Sequence, residues 1–240
     1  MSIVTLLTDF GLKDPYVAIM KGVILSINPQ ATIIDITHEI SAQAVDEAAF
    51  VVEEYVPFFP KGSVHVAVVD PTVGSSRRPL VMARDGCCFV GPDNGIFTAI
   101  INKETLIYQI EKRGLMASHV SRTFHGRDIF APVAARLSAG LAPSEVGRPL
   151  TDPILLSGLL PEIRDGVLLG RVVRFDRFGN AITNIRQDAL SGFTRGRNLV
   201  VTVAGLSFRK ISGTYFEDRF SCLIGSSGYL EFGLFQGNFA

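Results

Sequence analysis

I-V-T-L-L-T-D-F-G-L-K-D-P-Y, residues 3 to 16, sets how the rest of the chain is read. Ile3 to Leu7 form a short, nearly continuous apolar run, the pattern of a strand buried on both faces. Its carboxyl end delivers Thr8, Asp9, Phe10 and Gly11. Asp14 and Pro15 then mark a helix start, Asp14 as N-cap and Pro15 at the first helical position. Tyr16, Ile19, Met20 and Val23 follow at helical spacing until Asn28-Pro29 stops the helix.

The same order recurs along the first 150 residues. T-I-I-D-I (32–36) reads as a second strand, and 44–56 as a second helix rich in Ala, Glu and Val. V-H-V-A-V-V (64–69) is a third strand, ending at Asp70. L-V-M-A and C-C-F-V pair as a hairpin across Arg84-Asp85-Gly86. Pro92-Asp93-Asn94-Gly95 is a turn expected to open another helix, and Arg127 to Ala139 is helical. Alternation of this kind predicts an α/β fold, a Rossmann-like, mostly parallel sheet with helices on both faces.

Beyond residue 150 the texture changes. Leu155 to Gly166 is a Pro- and Gly-punctuated connector without periodicity. V-L-L-G-R-V-V-R-F, N-L-V-V-T-V, L-S-F-R-K-I and Y-L-E-F-G-L follow, separated by Gly and polar turns, as in a small barrel or sandwich. The expected division is an α/β domain over 1–158 and a smaller all-β, barrel-like domain over 166–240.

Composition narrows the partners. The chain has 240 residues, is 47% hydrophobic, and balances 23 basic against 23 acidic residues to a formal charge of zero. With no long basic run, neither nucleic acid nor an anionic membrane surface is expected. No apolar stretch approaches the ~18 residues of a membrane span. Cys87, Cys88 and Cys222 show neither metal-ligand spacing nor a disulfide framework, and read as reduced thiols. The amino-terminal residues lack the basic segment of a signal peptide, so a cytoplasmic protein is expected. A small neutral or zwitterionic ligand, with no metal and no cofactor, fits this balance.

Two loops hold the candidate chemistry. V-V-D-P-T-V-G-S-S-R-R (68–78) carries Asp70 at a strand end, and Pro71 and Gly74 enforce a turn from which Arg77 can fold back bidentately. A structural ion pair is the plain alternative. T-F-H-G-R-D-I-F (123–130) carries His125, with Gly126 behind it and Asp128 placed to cap the helix beyond. A loop histidine titrates near neutrality, as a general base must. His38, His65 and His119 have no evident companion, and His65 lies within a strand. Asp9 can accept both hydroxyls of a ribose or serve as a turn carboxylate. Its D-F-G string has neither the Gly-rich loop nor the properly ordered catalytic loop of a kinase beside it.

In the second half, F-D-R-F-G-N-A-I-T-N-I (175–185) sets Asp176 and Asn180 around a Phe-Gly turn, and Asn can read a purine edge. I-G-S-S-G-Y-L-E-F (224–232) supplies Ser226 and Ser227 in a small-residue turn able to hold a carboxylate. Tyr215 can stack on a base. Ordinary hairpin turns and packing are the alternatives for all of these.

Taken in order, T-D-F-G-x-x-D-x-Y, V-D-P-x-V-G-x-x-R-R, P-D-N-G, F-H-G-R-D-I-F-A-P, D-x-F-G-N-x-x-T-N and G-S-S-G-Y-L-E cover nearly the whole chain. Together they resemble the S-adenosyl-L-methionine (SAM) hydroxide adenosyltransferase family, water-using relatives of the SAM-dependent fluorinase and chlorinase. The resemblance implies hydrolysis of SAM to adenosine and L-methionine, with a water held by Asp70, Arg77 and His125. It implies Asp9 at the ribose diol, with Asp14 of the same motif among the substrate-binding residues. Asp176 would meet the methionine ammonium, Ser226 and Ser227 its carboxylate region, and Asn180 with Tyr215 the adenine. A homotrimer with sites between subunits is implied as well. Halogenases of the superfamily have an aromatic residue in place of Asp70 and lack Arg77, so an anion-repelling aspartate here favours water. A SAM-dependent halogenase and a non-catalytic nucleoside- or SAM-binding regulatory module are the alternatives. An unrelated α/β hydrolase would need a G-x-S-x-G elbow or a metal motif, and neither is seen.

Overall fold

The computed structural model describes residues 2–196 and 198–239. The chain divides into two units, Met1–Leu156 and Ser157–Ala240.

The first unit opens with β1 (Ser2–Thr8), α1 (Tyr16–Ile27), β2 (Ala31–Thr37), α2 (Val45–Tyr55) and β3 (Val64–Val68). A hairpin, β4 (Pro79–Arg84) and β5 (Cys87–Pro92), turns on Asp85 and Gly86, both at positive φ. β6 (Leu106–Gln109) and α3 (Ala131–Ser138) complete it. The sheet order is β2-β1-β3-β5-β4-β6, parallel from β2 through β5, with β4 antiparallel to both its neighbours.

Alternation along the strands feeds two cores. Val4, Leu6, Val66 and Val68 pack with Met20 and Ile24 of α1 and Val133 and Ala134 of α3. Leu7, Ala67, Val69 and Met82 pack with Ala48 and Val52 of α2. Helices therefore cover both faces, as the sequence predicts. Leaving β1, the chain moves to one side for β2 and crosses to the other for β3. The carboxyl ends of β1 and β3 thus flank a switch point, where open α/β sheets form a crevice.

Local expectations are corrected at several places. Asp14 does not cap α1: the helix begins at Tyr16, Pro15 is the N-cap residue, and no side chain caps it. Tyr16 and Ile19 are exposed, and the buried stripe is Val17, Met20 and Ile24. After Pro92-Asp93-Asn94-Gly95 comes only a 3-10 turn, Thr98–Ile100. The helix after His125 begins with a π-helical turn, Gly126–Phe130. Asp128 is buried inside that turn and caps nothing beyond it; its carboxylate accepts from Ser121 N (2.8 Å) and Arg127 Nε (2.6 Å).

The second unit is built from β7 (Glu162–Arg164), β8 (Val167–Leu169), β9 (Val172–Phe175), β10 (Ala181–Arg186), α4 (Gln187–Thr194), β11 (Val201–Val203), β12 (Leu206–Phe208), β13 (Phe220–Ile224) and β14 (Tyr229–Leu234). Its strands form one antiparallel sheet, β13-β14-β10-β9, and two hairpins, β7-β8 and β11-β12. Ala181, Ile185, Leu190, Cys222, Leu230 and Phe232 make its core. The connector expected over 155–166 thus contains a strand, and the run 167–175 is two strands broken at Gly170-Arg171.

Candidate active site

Asp70 stands two positions past the end of β3, and the chain returns Arg77 to it across a tight turn. Gly74 holds that turn at φ +82°, where a Cβ would collide with the carbonyl of Arg122. The Arg77 Nε donates to both carboxylate oxygens of Asp70 at 3.0 Å, and Nη2 donates to Oδ2. Each of the two side chains is 5% exposed. The guanidinium carbon lies 5.3 Å from the ring centre of Phe130, in the π turn. Nη1 is buried without a hydrogen-bond partner among the described residues.

His125 closes the cluster. Arg77 Nη2 lies 2.6 Å from its Nδ1. A guanidinium has only donors, so Nδ1 must carry the lone pair and the neutral ring its proton on Nε2. Burial first, and the charge of Arg77 second, push the His125 pKa below its ordinary 6.5, against the opposing pull of Asp70 and Asp128. A proton on Nδ1 would set two donors face to face, so geometry and electrostatics agree on a neutral imidazole.

A cavity of about 420 Å³ lies at the switch point, lined by Asp9, Tyr16, Gln43, Asp70, Phe124 and His125 among others. Asp9 Oδ2 accepts the Gln43 amide at 2.9 Å. Phe10, Tyr16 and Phe124 meet edge to face, their ring centres 5.2 to 6.0 Å apart. Asp14 is exposed and lies outside this lining. A larger cavity, about 830 Å³, at the amino ends of β1 and β2 is lined by Ser2, Asn28, Ala31 and Ser138, with no titratable side chain.

In the second unit Asp176 Oδ1 accepts the amides of Phe178 and Asn180, and Oδ2 accepts Asn180 Nδ2 at 2.9 Å. Asn180 Oδ1 and the Tyr215 ring both crowd Gly233, where any Cβ would lie 2.8 Å from each. The Tyr215 hydroxyl donates to Glu231, a carboxylate only 4% exposed. Burial, then Glu231, raises the pKa of that phenol. Ser226 and Ser227 occupy the turn between β13 and β14, closed by Gly228 N donating to Gly225 O at 2.9 Å. Gly225 in turn abuts the Glu231 carboxylate.

Sequence reasoning missed Glu231, whose one signal is an acid inside the apolar run Y-L-E-F-G-L. It also missed companions for two histidines. His38 Nδ1 lies 2.8 Å from Thr8 Oγ1 and His65 Nδ1 2.9 Å from Thr5 Oγ1. Among the described residues no group of three His, Cys, Asp or Glu side chains is placed to hold a metal ion, and no helix is long and apolar enough to cross a membrane.

The fold and the switch-point cavity define an α/β protein in which a buried Asp–Arg pair meets a half-buried histidine, joined to an antiparallel unit. Residues 4–147 match the SAM hydroxide adenosyltransferase N-terminal domain and residues 170–240 the C-terminal domain. The chain belongs to this family. It is 39% identical to the (R)-S-adenosyl-L-methionine hydrolase of Methanocaldococcus jannaschii, over 99% of this chain and 90% of that one. A fluorinase of Actinoplanes sp. is 29% identical, over 78% of this chain and 73% of its own. The crystal structure of an uncharacterized conserved protein from Thermotoga maritima superposes with a TM-score of 0.89 at 36% identity, covering 98% of this chain and 94% of that one.

Proposed function

We propose that this chain hydrolyses SAM to adenosine and L-methionine. Water attacks C5′ of the ribose in line with the sulfonium. The O–C5′ bond forms as the C5′–S bond breaks, sulfur leaves with the electron pair as a neutral thioether, and one water proton passes to the protein. With so good a leaving group, catalysis must act on the nucleophile by aligning it and relieving it of a proton. A carboxylate against sulfur would favour the charged substrate over the transition state, so Asp70 is assigned to the water.

The observation that supports this most is the contact of Arg77 with both Asp70 and His125 beside the cavity. Because Nδ1 of His125 is engaged and Nε2 protonated, His125 is cast as an orienting donor and Asp70 as the proton acceptor. Arg77 remains a cation. Its buried Nη1–H lacks an acceptor among the described residues, and the oxygen of the attacking water or hydroxide is the proposed one.

Asp9 is assigned to the ribose diol, Asp176 to the ammonium, Ser226 and Ser227 to the methionine carboxylate, and Asn180 with Tyr215 to adenine. Asp14 is given no step. A homotrimer and a cytoplasmic location belong to the same proposal. Sedimentation analysis and a fluorescent fusion test them. No metal or cofactor is required by this chemistry.

Incubation with SAM in oxygen-labelled water tests the reaction: label is expected in the 5′ hydroxyl of adenosine. Unlabelled adenosine, or SAM left intact, would overturn it. Formation of a 5′-halo-adenosine in chloride or fluoride would establish the halogenase alternative instead.

A further inference from the structure

We infer that His38 is a positioning residue that sets the Asp9 loop, and through it the affinity for the nucleoside half of the substrate. The inference rests on the ribose assignment of Asp9. His38 stands just past β2, beside the carboxyl end of β1, where the pairing register shifts between Leu6 and Leu7. Its side chain is 3% exposed and Thr8 is fully buried.

Two separate bonds hold the loop to this one residue. Through its ring, Nδ1 meets Thr8 Oγ1 at 2.8 Å, and the same hydroxyl accepts the Phe10 amide at 3.2 Å. Through its backbone, the His38 carbonyl accepts the Gly11 amide at 2.8 Å, with Gly11 at φ +62°. Asp9 lies between those anchors, its own carboxylate accepting the Gln43 backbone amide. Gln43 is itself at φ +67°, a conformation the surrounding structure must impose.

The far side of the ring fixes its polarity. His38 Nε2 lies 3.1 Å from Asp35 Oδ1, poorly aligned for a hydrogen bond, and Lys21 pairs with the other oxygen of Asp35. A carboxylate only accepts, so Nε2 carries the proton and Nδ1 accepts from the Thr8 hydroxyl. The hydroxyl is thereby committed in direction, leaving a lone pair for Phe10 N. His38, Thr8 and the Phe10 amide form one hydrogen-bonded chain that ends at the residue following Asp9.

SAM hydrolysis and calorimetric adenosine binding would be measured for His38→Leu and His38→Asn, each alone and with Asp9→Asn. His38→Leu is expected to raise KM and the adenosine Kd roughly five- to tenfold, the scale of one lost buried hydrogen bond, with kcat within about twofold. His38→Asn, whose Oδ1 can accept from Thr8, should recover most of the loss. On the Asp9→Asn background His38→Leu should add little. Effects that multiply independently, or a loss confined to kcat or to melting temperature, overturn the link to His38. Should His38→Leu not fold, Thr8→Val must reproduce the KM defect and Thr8→Ser must not. Unchanged adenosine affinity in Asp9→Asn alone overturns the ribose assignment, a separate result.

Discussion

Arg77 Nη2 donates to His125 Nδ1 at 2.6 Å, although 48 positions separate the two residues. The same guanidinium grips Asp70, so one planar fork fixes a carboxylate and an imidazole together. A lysine ammonium, a point donor on a flexible stem, would lack the fixed planar geometry that pairs the carboxylate bidentately while reaching the imidazole.

Asp70→Ala and Arg77→Ala should therefore each lower turnover by roughly 10²-fold or more, the scale of lost general-base and electrostatic stabilisation. SAM affinity should change far less. Single-turnover product formation and equilibrium binding on one preparation check both. Undiminished turnover in either variant removes the proposed water site.

His125 should titrate below pH 6.5, since burial and the Arg77 cation both disfavour its charged form. Removing that cation in Arg77→Gln should move the midpoint upward. Activity of the native enzyme should accordingly persist as pH falls through 6.5 and fail only on protonation of the ring. Imidazole resonances followed by NMR across the pH range measure the midpoints. A midpoint that ignores Arg77→Gln would contradict the assigned contact.

Asp9→Asn exchanges one acceptor of a diol for a donor. Weaker adenosine binding is expected, by about tenfold, with methionine binding unaltered. Calorimetry with each product separately distinguishes the outcomes. Equal losses for the two products would contradict a ribose contact.

His65 is fully buried, stacked 5.0 Å from the Phe89 ring, and its pKa falls from 6.5 to about 4, through burial. Between those values the unfolded chain binds a proton that the folded one refuses. Stability is thus complete above pH 6.5 and declines as pH falls toward 4, by on the order of 3 kcal/mol from this group alone. His65→Gln should flatten that part of the curve. Denaturant titrations at several pH values measure it, and an equally steep decline in the variant would assign the acid sensitivity elsewhere.

The parallel half of the fold was legible because β1, β2 and β3 are mostly apolar runs with helices between them that Pro and polar turns punctuate. β10 was not singled out as a strand, for its A-I-T-N-I-R places Thr183 and Asn184 in the interior. Their polar atoms are satisfied by the Leu230 and Leu159 carbonyls, partners that only tertiary structure supplies. Asp14 misled because Asp-Pro is an equally good turn. Within the candidate site, the Asp70–Arg77 pair could be foreseen from the six-residue turn between them. The approach of His125 depends on α3 packing across the sheet beside β3, which no local pattern encodes. His38 read as solitary because its partner, Thr8, lies on the neighbouring strand.

The π-helical turn Gly126–Phe130 winds one more residue into its loop than an α-helical turn would. Deleting a single residue there would let the segment relax to α geometry and swing everything upstream by about 100° around the helix axis. The imidazole would then face away from the guanidinium even with Asp70, Arg77 and His125 all intact. Segment length at this point is as much an inherited requirement as the identity of any side chain.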